Sequence, residues 1–310
     1  MCTAKARKPA KKPLIITKPI EKVLAAIHFH CYMATQGVCR LLYSPRSLSH
    51  VREILSLLAA ANYLYRFELP HTSRGNTERI YTLGSKGRDY LANVLGLPVD
   101  WYFRPYKLRH FGASQAQHNL ALTRVLVAAQ SWAAKQPDFK LVQTRICYEL
   151  AHTPSQVSLT NKGKAETLKV IPDAWLLFEQ TKGGELEHGY PVLLEVDRGM
   201  EYREKFKRHV RSRLEFIKKG GAYSKLFGTE AVIIAYLTTG ELPQYRESRC
   251  KAMCSYTMEV LAESHKEAWA PIFRFCSFLL EEIYDTNIFE APVWYMPHSP
   301  TPVPLLSPAS

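Results

Sequence analysis

Ile171-Pro-Asp-Ala-Trp-Leu-Leu177 and Leu194-Glu-Val-Asp-Arg-Gly-Met-Glu201 are the two stretches on which the reading of this chain turns. In the first, Pro172-Asp173 precedes an apolar run and reads as the start of a strand. In the second, an apolar run closes on Glu195-Val196-Asp197 and reads as the end of one. Side chains alternate across a strand, so Glu195 and Asp197 share a face and Val196 takes the other. A hairpin between the two strands brings Asp173 beside Glu195. Carboxylates gathered at strand ends repel unless a cation lies between them, and hard oxygen ligands suit Mg²⁺ or Mn²⁺. Such an ion activates water and stabilises charge on a phosphate under attack. Asp173, Glu195 and Asp197 are therefore the candidate metal ligands and catalytic acids.

Outward from this pair the pattern continues. A helix is expected over 119–135, with Leu120, Leu122, Val125, Leu126 and Ala129 towards a buried face. Strands are expected over 140–150, 170–179, 191–198 and 231–239, and a helix over 201–219 separates the last two. This α-β-β-β-α-β order predicts a mixed β-sheet flanked by helices, an α/β (α+β) domain, with 231–239 a fully buried strand. The polar stretch 153–166 reads as a mobile loop, 181–189 as a hairpin turn and 259–282 as a further helix. The tail from Pro292, rich in Pro and Ser, reads as irregular.

The chain before residue 98 is built differently. Pro19 opens a helix carrying Ile20, Val23, Leu24 and Ile27 at helical spacing, and a short second helix after Thr35 carries Val38, Leu41 and Leu42. Ser44-Pro45 or Ser47 caps a third, with Val51, Ile54, Leu55 and Leu58 on one face and Arg46, Ser49, His50 and Arg52 on the other. Two strand-like runs, 63–69 and 79–83, enclose a turn-rich loop with Arg74 near its tip. A last helix begins at Ser85 and is stopped by Gly96 and Pro98. Three helices and then a two-stranded wing is the order of a winged helix-turn-helix. The third helix of such a unit can enter a major groove of duplex DNA, and wing arginines, here Arg74 and Arg79, can reach phosphates or a minor groove.

Composition narrows the classes. Of 310 residues, 46% are hydrophobic and 22% charged, too apolar for a disordered chain. There are 41 Lys and Arg against 28 Asp and Glu, a formal charge of +13, which predicts a polyanionic partner. Lys5, Arg7, Lys8, Lys11, Lys12 and Lys18, broken by Pro9 and Pro13, form a basic flexible arm. No apolar core follows it that could serve as a secretory leader, and no apolar run is long enough for a membrane span. Seven scattered Cys fit reduced thiols better than a disulfide framework, so a cytoplasmic location with no membrane partner is expected.

Residues 198–219 hold nine basic groups against Glu201, Glu204 and Glu215. On this helix Phe206, Val210, Leu214 and Ile217 form an apolar stripe, and Lys207, Arg211 and Lys218 run beside it, where a phosphate backbone could lie. Segment 98–118, with Trp101, Tyr102, Phe103 and Tyr106, reads as a packed connector. Cys250 and Cys254 share a helical face and, with His265 and Cys276, could be zinc ligands. Their spacing is not that of a common finger, and small buried hydrophobes are the preferred reading. No Gly-rich phosphate loop is present, so ATP use is not expected.

The acids at paired strand ends resemble the restriction-endonuclease-like PD-(D/E)xK fold, in which a lysine follows the second acid by two. Here that position holds Asp197, so the resemblance leaves Lys205 or Lys207 on the next helix to supply the cation. The two opening strings, with Gly221-Ala-Tyr-Ser-Lys-Leu-Phe227 after them and the wing before, make the chain similar to the replication-relaxation family of bacterial plasmids and mobile elements. The resemblance spans roughly 20–295 and implies a winged helix joined to a nuclease-like domain. With the segments read from the residues, the expected division is a basic arm (1–18), a winged helix (19–97), a connector (98–118), a nuclease-like domain (119–291) and a Pro-rich tail (292–310). It implies double-stranded DNA as partner, with replication or mobile-element proteins beside it. Three functions follow as expectations. One is a DNA-binding replication or relaxation factor, one a Mg²⁺- or Mn²⁺-dependent endonuclease or nickase, and one a transcriptional regulator. Asp197 in the lysine's place favours the first.

Overall fold

Apolar residues at helical spacing build the first of two compact units into which the chain divides, Met1–Leu120 and Ala121–Ser310. The computed structural model describes residues 14–68, 78–99, 113–161, 164–199, 202–240, 242–279 and 282–307. Arg74, the basic arm as far as Lys12 and most of the 98–118 connector lie outside the described residues.

In the first unit α1 (Lys18–His30) has Pro19 in its first turn, where a missing N–H costs nothing, and buries Val23, Leu24 and Ile27. A two-residue strand β1 (Met33–Ala34) leads into α2 (Thr35–Leu42). Ser44 Oγ accepts from Arg46 N at 3.4 Å and starts a single 3₁₀ turn (Pro45–Ser47), which runs on into α3 (Leu48–Ala60). Val51, Leu55 and Leu58 bury one face of α3, as their spacing requires. Strands β2 (Leu64–Glu68) and β3 (Arg79–Leu83) pair antiparallel, and β1 adds to the other side of β3, giving the order β1-β3-β2. Helix α4 (Ser85–Asn93) follows closely on this sheet. A Cβ on Gly87 would stand 2.2 Å from the Tyr63 carbonyl oxygen, so only glycine fits there.

The second unit is the mixed α/β layer that the sequence order predicts. After α5 (Ala113–Ala133), which begins before the boundary, come β4 (Phe139–Ile146), α6 (Cys147–Leu150), β5 (Ser155–Asn161), β6 (Lys164–Val170), β7 (Ala174–Lys182) and β8 (Glu185–Asp197). Then follow α7 (Arg203–Phe216), α8 (Ala222–Phe227), β9 (Ile233–Thr239), α9 (Pro243–Glu263), a 3₁₀ segment (Glu267–Ile272) and β10 (Phe273–Phe278). The sheet order is β10-β9-β8-β7-β4, antiparallel from β4 to β8 and parallel from β8 to β10. Every residue of β9 is buried, as a strand covered on both faces must be. Phe206, Val210 and Leu214 of α7 and Met253 and Val260 of α9 pack with Trp175, Leu193 and Tyr236 of the sheet in one core.

Three expectations are corrected. The stretch 153–166 is not a loop, because Val157 and Leu159, like Leu168 and Val170, alternate with polar residues and form the β5–β6 hairpin, which packs on α7. The helix placed at 259–282 starts instead at Pro243 and ends at Glu263. His265, at φ 53°, turns the chain into β10 beside β9. Strand β4 stops at Ile146, where the Cys147 amide donates to the Asp173 carbonyl oxygen at 2.8 Å and α6 begins. The tail has no regular element but is packed: Trp294 is fully buried, and Tyr295 bridges to Phe275 on the edge strand. Among the described residues no helix is long and apolar enough to cross a membrane.

Candidate functional site

The acids come together where β7 begins and β8 ends. Ala174 is paired with Leu194, so Asp173 stands opposite Glu195. Asp173 Oδ2 accepts the Val196 amide at 2.8 Å and caps the ladder between the two strands. Glu195 and Asp197 lie on one face, level with Tyr236 and Thr238 of the parallel neighbour β9, and Val196 is buried on the other. The hairpin and the alternation read from the sequence are both present.

Each of the two face-sharing acids meets an arginine. Arg213 of α7 brings Nε to 2.7 Å and Nη2 to 2.6 Å from Glu195 Oε1. Their side chains are only 7% and 15% exposed, respectively. Arg249 of α9 grips Asp197 with both ends of its fork, Nε to Oδ2 at 3.0 Å and Nη2 to Oδ1 at 3.1 Å, and the Gly199 amide adds a third bond at 3.0 Å. The Arg249 guanidinium also lies 5.5 Å from the centre of the Phe206 ring.

Burial is the largest influence on Glu195 and pushes its carboxyl up to about 7. Arg213 and His209 pull the other way, and Asp173 adds to the rise. For Arg213, burial is the largest influence and disfavours the charge, but Glu195, Tyr236 and Asp173 together outweigh it and the guanidinium is held above its ordinary value. Cys147 is pushed up to about 12 by burial, then by Asp173 and Glu195, so its thiol is no nucleophile. A carboxyl that ionises near 7 folded and near 4.5 unfolded contributes stability that is complete below 4.5 and lost as pH rises through 7. The loss is on the order of 3 kcal/mol. Urea melts of wild type should therefore weaken across this window, and Glu195→Gln should flatten the curve. Parallel curves would mean that Glu195 does not titrate there.

Lys207 does not face the acids. Its buried ammonium contacts Glu263 Oε1 at 2.5 Å and Glu259 Oε2 at 3.2 Å on α9. Lys205 is exposed on α7. The other cations of the α7 strip also have acidic partners: Arg203 with Glu259, Arg211 with Glu263, Arg208 with Glu166 and Lys218 with Glu215. Arg203, Lys207 and Arg211 are thus one half of a ladder between α7 and α9. Cys250 and Cys254 do share a face of α9, with the Cys250 thiol lowered by its hydrogen bond to Cys254. Among the described residues, however, no three His, Cys, Asp or Glu are grouped so as to hold a metal ion.

Arg213 and Arg249 are the residues that the sequence reading passed over. A signal was there: Arg213 falls on the buried stripe of Phe206, Val210, Leu214 and Ile217, and Arg249 adjoins the stripe of Arg246, Cys250, Met253 and Thr257. An arginine at an inward position needs an acid to meet it.

On the first unit, Arg46 in the 3₁₀ turn and Ser49, His50 and Arg52 at the start of α3 are all exposed, and the His50 ring meets Tyr43 edge-on at 6.1 Å. Arg79, at the loop end of the hairpin strands, pairs with Glu68 at 3.6 Å, both about half exposed. A family model described as replication-relaxation matches residues 24–230. No curated protein and no solved structure matches the chain.

Proposed function

From the premise that this chain belongs to the replication-relaxation family, we propose that it is a DNA-binding factor of plasmid or mobile-element replication. In this reading the first unit is a winged helix that binds duplex DNA, and the second is a nuclease-like scaffold that does not cut. The observation that carries the reading is the exposed 3₁₀ turn and start of α3, where Arg46, Ser49, His50 and Arg52 stand clear of the buried Val51, Leu55 and Leu58. A helix of 13 residues is about 20 Å long. Only the major groove accepts such an element and offers a full donor and acceptor code to its side chains. Arg66 and Arg79 on the hairpin are exposed as well, and Arg79 can shift from its surface ion pair with Glu68 to a phosphate at little cost. The net charge of +13 supplies long-range attraction to a polyanion.

The scaffold reading of the second unit is supported by the pairing of its acids with arginines and of its helix cations with acids. Supercoiled plasmid incubated with the protein and Mg²⁺ or Mn²⁺ tests both halves. Retarded but covalently intact plasmid is expected. Metal-dependent nicks made by wild type and lost in Asp173→Ala would replace the scaffold with a nickase.

A further inference from the structure

The resemblance to metal-dependent nucleases and the geometry of the acids disagree, and we infer that Arg213 and Arg249 occupy the places of the divalent cation in a closed, metal-free charge cluster. Mg²⁺ requires near-octahedral oxygen ligands at about 2.0–2.1 Å and keeps several waters. Four of the six carboxylate oxygens that could serve it are engaged. Two guanidinium nitrogens converge on Glu195 Oε1 at 2.6 and 2.7 Å, and both Asp197 oxygens are held by Arg249 at 3.0 and 3.1 Å. Asp173 Oδ2 is turned to the Val196 amide. A cation in bonding range of Glu195 Oε1 would collide with the Arg213 nitrogens and be repelled by their charge.

Neither arginine is a surface group that could swing away. Arg213 is buried beside Leu214 and Val210 on the packed face of α7, and Arg249 lies over Phe206 with 14% of its side chain exposed. Displacing either means prising α7 or α9 from the sheet. The guanidinium groups thus do what a metal does for clustered acids: they cancel repulsion and tie the strand ends to the surrounding elements. They add a directionality that a metal lacks, since each comes from a different helix. Lys207, which faces away from the acids, is held by Glu259 and Glu263 and supplies no replacement.

Titration of the full-length protein with Mn²⁺, followed by the loss of the free-ion electron paramagnetic resonance signal, tests this without DNA, so it stands apart from the DNA-binding reading. Wild type should leave the signal unchanged at the acid cluster and show no metal-induced rise in melting temperature. Arg249→Gln, which frees Asp197, should melt lower than wild type in chelator and recover by about 3–5 °C at a tenfold excess of Mn²⁺ over its dissociation constant. Binding of about one Mn²⁺ by wild type that disappears in Glu195→Gln would overturn the inference. A folded Arg249→Gln protein as indifferent to Mn²⁺ as wild type would overturn it too, because the arginine would not then be what holds the metal out. Binding that survives Glu195→Gln lies elsewhere on the chain and leaves the cluster closed as inferred. If Arg249→Gln fails to fold, the wild-type titration decides alone.

Discussion

Replacing Arg213 by Met is expected to destabilise the second unit by about 3–5 kcal/mol above neutral pH, the largest effect of any single side chain near the acids. Methionine retains much of the aliphatic stem that packs beside Leu214, so the loss is chiefly electrostatic. It leaves Glu195, 15% exposed and beside Asp173, without its counter-charge. The penalty depends on pH, and its sign is fixed. Glu195 already ionises well above its unfolded value, and removing Arg213 raises it further. A proton relieves the buried charge, so the variant should approach wild-type stability near pH 5 and fall away as pH rises past 7. Urea melts at several pH values check this. A deficit that is constant with pH would assign the loss to packing instead. Glu195→Gln in the same background should recover much of it, since no buried charge then remains to be met.

How far the sequence could carry this reading differs between elements. The strands holding the acids were legible because Asp173 and Glu195 interrupt otherwise apolar runs, and the register that sets Asp173 against Glu195 follows from their being strand neighbours. The helices of the first unit were legible from Val23, Leu24 and Ile27 and from Val51, Leu55 and Leu58, whose spacing fits one period only. The β5–β6 hairpin was missed because just Val157, Leu159, Leu168 and Val170 carry its alternation through a polar stretch. Strand β10 was missed for the opposite reason: Phe273–Phe278 is a short run, apolar but for Arg274 and Ser277, that suits a strand or a buried helix equally. Parallel pairing with β9, a partner nearly 40 residues away in the chain, decided the matter, and no local pattern encodes it.

The site was half legible for a related reason. Acids within an apolar strand stand out, whereas Arg213 was only counted among the nine basic groups of 198–219 and Lys207 was read as part of a basic strip. Face by face they differ: Arg213 looks to the sheet and meets Glu195, and Lys207 looks to α9 and meets Glu259 and Glu263. Charge summed over sequence therefore overstated the cation surface that α7 offers to a phosphate. The first unit is less affected, because Arg46 in the 3₁₀ turn before α3 and Arg52 on α3 remain exposed.

The most direct test of the account is fluorescence anisotropy of wild type and Arg46→Glu/Arg52→Glu on duplex DNA across a range of salt concentrations. Each phosphate neutralised releases counterions and adds about 0.9 to the slope of log affinity against log salt. Two lost contacts should lower the slope by about 1.8 and, at about 0.1 M salt, weaken binding roughly sixty-fold. Both positions are exposed, so the melting temperature should stay within a degree or so of wild type. The account predicts weaker binding with a shallower salt slope in a protein that is still folded. Unchanged affinity and slope in the double variant would contradict it and move DNA contact, if there is any, away from the first unit's third helix.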